Sequence, residues 1–334
     1  MNISRLRIAA LTIMIVGISA AVLYFTVDVG TLGSLADFHP ASLLGVVLAI
    51  SAGMYFDSLR LIRLGEIAGH RIFLGAAVRV VFGNYFMAML TPGATGGALI
   101  QVLFLKKAGI PTGSATVVVL ARTILSIFFL LVCLPVVFYY DPAILPWFDR
   151  DGIVRAALLM VGLAVIGMVT LRTGLADRLA VVTLKRFPVR WRFRLMKVYR
   201  DMRSALVLMS ASPAAVGRAF VESGLSLLSL YAMVPVLFAG LGVSSDWLLV
   251  MGRMIFLNLL LYFAPTPGGA GVAEGLFITS FKGLLPLGMV GITAVAWRVF
   301  AEYLPACIGG YFTMKVFGIS LFSPEKSIRK GENQ

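Results

Sequence analysis

Charge is what this chain has least of. Of 334 residues, 13% are Asp, Glu, Lys or Arg, about half the ~25% typical of a soluble domain. Acidic residues are the scarcest, 15 against 29 Lys and Arg, and histidine and cysteine occur only twice each. Cys133 and Cys307 lie in apolar runs without CxxC spacing, which speaks against a metal site or a disulfide. His39 and His70 alone do not build a histidine metal centre, and no cofactor is expected. No catalytic set of nucleophile and base stands out, so the chain is not read as an enzyme. Together these shortages exclude disorder, a coiled coil and a conventional soluble enzyme. What is abundant is apolar: 60% hydrophobic residues and a mean hydropathy of +0.96. The composition predicts an all-α polytopic membrane protein. A net charge of +14 must then be concentrated on little water-facing surface.

Apolar runs occur near 8–27, 41–56, 72–91, 114–140, 153–171, 214–240, 247–264 and 291–317, with shorter ones at 98–105 and 270–281. A span needs about 20 apolar residues, so the two short runs fall below that length. Each follows a Gly/Pro-rich break, Thr91-Pro92-Gly93-Ala94-Thr95-Gly96-Gly97 in the first case and Pro265-Thr266-Pro267-Gly268-Gly269-Ala270-Gly271 in the second. The first run is longer than a signal-peptide core of roughly 7–15 residues and reads as a retained anchor.

Loop charge sets orientation, because Lys and Arg gather on the cytoplasmic side. Segment 172–212 holds Arg172, Arg178, Lys185, Arg186, Arg190, Arg192, Arg194, Lys197, Arg200 and Arg203. It is expected inside, as are both termini and segment 57–71 with Arg60, Arg63 and Arg71. Loops 28–40 and 141–151 carry Asp28, Asp37, Asp141, Asp149 and Asp151, and belong outside. This pattern survives only if 72–105 and 247–281 are re-entrant hairpins, entering and leaving on one side. Six spans and two hairpins result.

The hairpins align with one another. Arg79, Asn84 and Thr91-Pro92-Gly93 match Arg253, Asn258 and Thr266-Pro267-Gly268, and each hairpin leads to a span with an early arginine, Arg122 or Arg298. The chain therefore reads as two repeats, 1–140 and 151–320, followed by a cytoplasmic tail at 321–334. The odd number of spans per repeat inverts the second copy. Inverted repeats with matched Gly/Pro-interrupted segments place transporter sites near the bilayer midplane.

Irregular backbone at that depth survives only buried in protein or lining a wet cavity. The breaks thus read either as a site or as helix kinks. Arg79, Arg122, Arg218, Arg253 and Arg298 fall in the runs, each costing roughly 2.5–3.5 kcal/mol at the bilayer centre. Snorkelling accounts for those near run ends, leaving Arg122 and Arg298. Glu222, Glu274 and Glu302 are the acids available to neutralise them. Glu302 and Glu222 follow Arg298 and Arg218 by four residues, the spacing of helical ion pairs. Glu274 has no such neighbour and is the candidate site carboxylate. The arginines suit a phosphate-bearing ligand. The basic segment 172–212, with Phe187, Trp191, Phe193 and Tyr199, reads as a topology determinant or an anionic-lipid contact. Nucleic acid is the weaker partner and is not expected.

Leu90–Gly97 with Gln101 and Phe104–Ile110, then Pro265–Glu274, then Trp297-Arg298, Glu302-Tyr303-Leu304-Pro305 and Gly309-Gly310 resemble signatures of the lysylphosphatidylglycerol synthase transmembrane (flippase-like) family. The resemblance covers nearly the whole chain, without the soluble aminoacyl-transferase domain of bifunctional members. It implies a lipid translocase that moves a phospholipid or a lipid-linked carrier between leaflets of the cell membrane. A separate lipid-modifying enzyme is an implied partner, and oligomerisation is left open. Glu302-Tyr303 stands where members often carry a tyrosine pair. The expected binding residues are Arg79, Asn84, Thr91, Pro92, Gly93, Thr95, Gly96, Arg122, Arg253, Asn258, Thr266, Pro267, Gly268, Gly269, Glu274, Arg298, Glu302 and Tyr303. An ion-coupled transporter of a small anionic metabolite and a membrane-embedded lipid transferase are the competing readings.

Overall fold

The computed structural model describes residues 39–91, 93, 95–144, 149–172, isolated positions between 192 and 208, and 212–318. The expected span at 8–27, the tail at 321–334 and most of the basic segment 172–212 lie outside the described residues. Among the described residues all regular structure is helical and there is no strand. The helices are α1 (Pro40–Ile67), α2 (Leu74–Leu90), α3 (Thr95–Lys107), α4 (Thr112–Tyr140), α5 (Arg150–Arg172), α6 (Pro213–Gly240), α7 (Trp247–Leu261), α8 (Val272–Phe281), α9 (Leu287–Arg298) and α10 (Leu304–Phe317). A 3-10 turn, Pro142–Ile144, follows α4, and a π-helical turn, Val299–Tyr303, joins α9 to α10.

Local chemistry sets several of these ends. Proline opens α1 and α6, where its missing N–H would have no helical partner anyway. Asp246 caps α7, its carboxylate accepting the Leu248 N–H at 2.9 Å. The π turn stands just before Pro305, which has no N–H for the Ala301 carbonyl and whose ring crowds it. Widening the helix there relieves the clash, and the Leu304 N–H reaches back to the Val299 carbonyl. The run expected at 291–317 is thus one helical path with a bulge inside it.

Among the described residues three helices, α1, α4 and α6, are long and apolar enough to cross a membrane. One boundary differs from the sequence expectation. The first described span was placed at 41–56 with a cytoplasmic segment after it, yet α1 continues unbroken to Ile67. The charges of Asp57 and Arg60 depress hydropathy there, but both side chains are buried, at 4% and 3% exposure. They lie one helical turn apart and pair with each other, so charge does not end the helix.

The described residues gather into two compact units. The first joins Arg79–Ile100 to the chain from Leu261 onward; the second joins Phe38–Val78 to Gln101–Leu260. In the second unit α1 packs along α6, and the Ser226 hydroxyl donates to the Gly53 carbonyl at 2.9 Å. The Phe220 ring of α6 meets Phe128 and Phe129 of α4, and Phe256 of α7 sits edge-on to Phe138. Helix α5 leaves Leu159, Leu163 and Ile166 exposed, an apolar surface suited to lipid rather than water.

In the first unit Phe277 of α8 stacks on Trp297 of α9, with ring centroids 5.2 Å apart. Helix α10 crosses the middle of α2 with no room for a side chain at Gly309. A Cβ there would fall onto the Phe82 backbone carbonyl, and Phe82 and Phe312 close the contact edge-on. Backbone cannot step aside as a flexible side chain can. Gly309→Ala is therefore expected to cost about 1–3 kcal/mol through overpacking, read as a lower thermal midpoint of the detergent-solubilised protein. Gly217→Ala on α6, where an added methyl meets open space, is the control and should hold or raise the midpoint, alanine being the better helix former.

Candidate functional site

The second Gly/Pro break is the centre of the first unit. Gly268, Gly269 and Gly271 all have positive φ, between 58° and 80°, a region that side chains with a Cβ rarely enter. Proline at 265 and 267 removes two backbone donors, so this stretch cannot continue α7. The break folds on itself, with Gly269 N–H to the Thr266 carbonyl and Ala270 N–H to the Pro267 carbonyl, at 3.0 and 3.1 Å. Helix α8 starts from it. The Glu274 Oε2 accepts the Gly271 N–H at 2.7 Å, satisfying an amide at the helix start with a carboxylate that the helix dipole also favours.

Arg298 holds this arrangement from the end of α9. Its Nε donates to Glu274 Oε1 at 3.1 Å and its Nη2 to the Gly268 carbonyl at 3.0 Å. Its Nη1 pairs with Glu302, and the guanidinium lies 5.5 Å from the Tyr303 ring centroid. Arg298 and Glu274 are each 1% exposed, while the Glu302 side chain keeps 24%. One cation is thus clasped by two carboxylates and a backbone carbonyl. Gly268 faces the other way through its N–H, which donates to the Ala88 carbonyl at 3.3 Å. A Cβ on Gly268 would press on the Met89 backbone. The second break therefore lies directly against the end of α2.

The first break is built differently. The Thr91 hydroxyl donates to the Met87 carbonyl and accepts the Gly96 N–H, both at 2.8 Å. One side chain thus closes α2 and opens α3. Gly93 has φ 60°. Gly96 and Gly97 leave no room for a methyl group against Thr91 and Asn84, so the strands of backbone on either side of the break stay in contact.

A second cluster lies in the other unit, on the three long helices. Arg60 of α1 and Arg122 of α4 both grip the Asp57 carboxylate, with Arg122 Nε also donating to Oδ1 at 3.0 Å. Arg122 Nη1 donates to Gln101 of α3 at 2.7 Å. Arg60 Nη1 donates to Ser126 of α4 and Ser223 of α6, at 2.6 and 3.1 Å. All six residues are at most 8% exposed. Towards the end of α1, Arg63 binds Glu222 of α6 at 3.0 Å and Glu66 at 3.5 Å.

Residues 8–309 match the family described as the lysylphosphatidylglycerol synthase TM region. The chain belongs to that family. It is also similar to a UPF0104 membrane protein of Archaeoglobus fulgidus, 21% identical over 250 residues, which is 72% of this chain and 76% of the relative.

In this chain the first unit collects most of the residues expected at a site. Arg79, Asn84, Thr91, Gly93, Thr95, Gly96, Thr266, Pro267, Gly268, Gly269, Glu274, Arg298, Glu302 and Tyr303 all belong to it. Arg79 is exposed and Asn84 half-buried. Pro92 lies outside the described residues. Arg122, Arg253 and Asn258 belong to the second unit. Asn258 donates to the Met254 carbonyl within α7 at 2.9 Å, and Arg253 pairs with Asp141 at 2.6 Å.

Three pairing expectations change. Glu274, which has no partner at helical spacing, shares Arg298 with Glu302, brought there by folding rather than by sequence spacing. Glu222 serves Arg63 instead of Arg218, which is exposed. The acids that neutralise the buried arginines also include Asp57 and Asp141, both assigned to loops from hydropathy. Their signal was present in the sequence. Asp57, Arg60 and Arg63 recur every three residues, as ion-pairing groups on a helix do.

Breaking a buried ion pair costs about 3–5 kcal/mol, because the remaining charge is left without its partner. Arg298→Gln and Glu274→Gln should each lower stability by about that much, and the double variant by clearly less than the sum. Chemical-denaturant unfolding in micelles measures the coupling. Strict additivity would show that the pair does not hold the break.

Proposed function

We propose that this chain is a lipid translocase of the cell membrane, moving a phospholipid or a lipid-linked carrier between leaflets. In this reading α2–α3 and α7–α8 are re-entrant hairpins of two inverted-topology repeats, and both termini are cytoplasmic. The headgroup passes through a polar path lined by the breaks, while the acyl chains stay in the bilayer. The protein makes and breaks no covalent bond in the process.

The observation that carries the reading is the position of Gly268. Its N–H serves the end of α2 and its carbonyl serves Arg298. The two Pro-Gly breaks, far apart in sequence, are thereby neighbours in one unit. Unwound backbone and buried charge are costly in an apolar environment and are found where a polar cargo must be met. Glu302, partly exposed beside Arg298, is the carboxylate placed to meet a cationic or hydroxylated headgroup, and the arginines suit its phosphate. Membership of a family named for lysylphosphatidylglycerol synthase supports a lipid as cargo.

Reconstitution in liposomes with fluorescent phospholipids tests this. Dithionite quenching should reveal inner-leaflet lipid reaching the outer leaflet faster than in protein-free vesicles. Gly268→Val, strained by its positive φ and pressed on Met89, should slow that transfer by about ten-fold, the strain being roughly 1–3 kcal/mol. Equal rates with and without protein, across anionic, zwitterionic and cationic headgroups, would discard the reading.

A further inference from the structure

The Asp57 cluster is unlike an ordinary ion pair. Two guanidinium groups from different helices converge on a single carboxylate, which Arg60 and Arg122 both grip. Around them stand neutral polar groups of α3, α4 and α6 that accept from the two guanidinium groups. The Ser126 and Ser223 hydroxyls lie 2.6 and 3.1 Å from Arg60, and the Gln101 amide oxygen is 2.7 Å from Arg122. Planar guanidinium forks match phosphate oxygens as well as carboxylate oxygens. The two serine hydroxyls accept from Arg60 and donate to the Arg122 and Ala219 carbonyls, and a hydroxyl can rotate to turn its donor to a phosphate oxygen.

The cluster also has a graded route to the surface. Asp57 and Arg60 are 4% and 3% exposed. Farther along α1 the side chains of Arg63 and Glu66 reach 32% and 51%. Glu222 of α6, beside Arg63, is only 8% exposed and holds a buried Oε2 with no partner among the described residues. An acceptor left so is costly and marks a place where a passing donor, water included, would be held. Charged groups thus lead from the exposed end of α1 to the buried arginines.

We propose that Arg60 and Arg122, with Ser126, Ser223 and Gln101, form a phosphate-binding site in which the Asp57 carboxylate stands where a phosphate oxyanion binds. Asp57 and the incoming phosphate compete for the same guanidinium forks. Binding exchanges one ion pair for another, with no bond made or broken covalently, so the arginines are never left without an anion at membrane depth. The phosphate is that of a lipid headgroup or of a free phosphate, since both present the same oxyanion. This deepens the translocation reading, but it concerns equilibrium binding, so either can fail without the other.

The test uses the full-length protein in maltoside micelles and calorimetric titration. The probes are inorganic phosphate and short-chain phosphatidylglycerol, with short-chain diacylglycerol as the uncharged control. Asp57→Asn removes the internal competitor and should bind at least one phosphate probe about ten-fold more tightly than wild type. Ser126→Ala with Ser223→Ala leaves the Asp57 pairs intact and removes the two hydroxyls that position Arg60. That variant should bind about ten-fold more weakly. Tight binding of phosphatidylglycerol alone assigns the site to a lipid headgroup, and of inorganic phosphate alone to a free phosphate. Unchanged affinity in a folded Asp57→Asn, or no phosphate binding in any folded form, overturns the site. If Asp57→Asn does not fold, the serine variant decides, and affinity equal to that of wild type overturns the proposal.

Discussion

An arginine buried in an apolar protein must be answered on all sides, and the first unit is organised around that requirement. A guanidinium has five N–H donors in a rigid fork. Arg298, at 1% exposure, directs its nitrogens to Glu274, Glu302 and the Gly268 carbonyl. Each of those contacts fixes a different element. Glu274 is the first-turn carboxylate of α8, Gly268 is the turning point of the break, and Glu302 lies in the bulge that leads to α10. Removing the arginine would release all three together. The irregular backbone of the break is kept in shape by a charge that could not itself be kept without the break.

That mutual dependence explains why the π turn matters to the site. Arg298 ends α9, and Glu302 and Tyr303 lie within the widened turn that follows. Pro305 forces the widening by removing one helical donor. The turn brings a carboxylate and an aromatic face to one guanidinium from the same stretch of chain. Such bulges are uncommon within helices and recur at functional sites. Here the bulge lies between the arginine and the close crossing at Gly309, so packing against Phe82 and charge pairing at Arg298 constrain one short segment from both ends.

Much of this was legible in the sequence. The breaks, the apolar runs from 72 onward and the depth of Arg122 and Arg298 follow from glycine and proline chemistry and from the placing of charge in apolar runs. The pairings were not, because they join residues distant in the chain. Arg298 and Glu274 are separated by 24 positions and Arg122 and Asp57 by 65, distances at which helical spacing rules are silent. Hydropathy failed at Asp57 and Arg60 for a physical reason. A window averages along the chain, whereas burial depends on one face of the helix, and there the charges neutralise each other within a single turn. The π turn had a cue in Pro305, yet proline alone does not distinguish a kink from a bulge.

The two arginine clusters differ in stoichiometry, and the difference bears on what each can receive. Arg60 and Arg122 share the carboxylate of Asp57, whereas Arg298 is shared by Glu274 and Glu302. Two cations around one anion make an oxyanion an acceptable replacement for that anion. One cation between two anions makes a positive or hydroxyl-bearing group acceptable in place of the cation, most readily at the partly exposed Glu302. Arg122 and Arg298 hold corresponding positions in the sequence pattern, early in the span that follows each break. The same kind of residue at matched positions has thus been given opposite surroundings, an excess of cation around Asp57 and an excess of anion around Arg298.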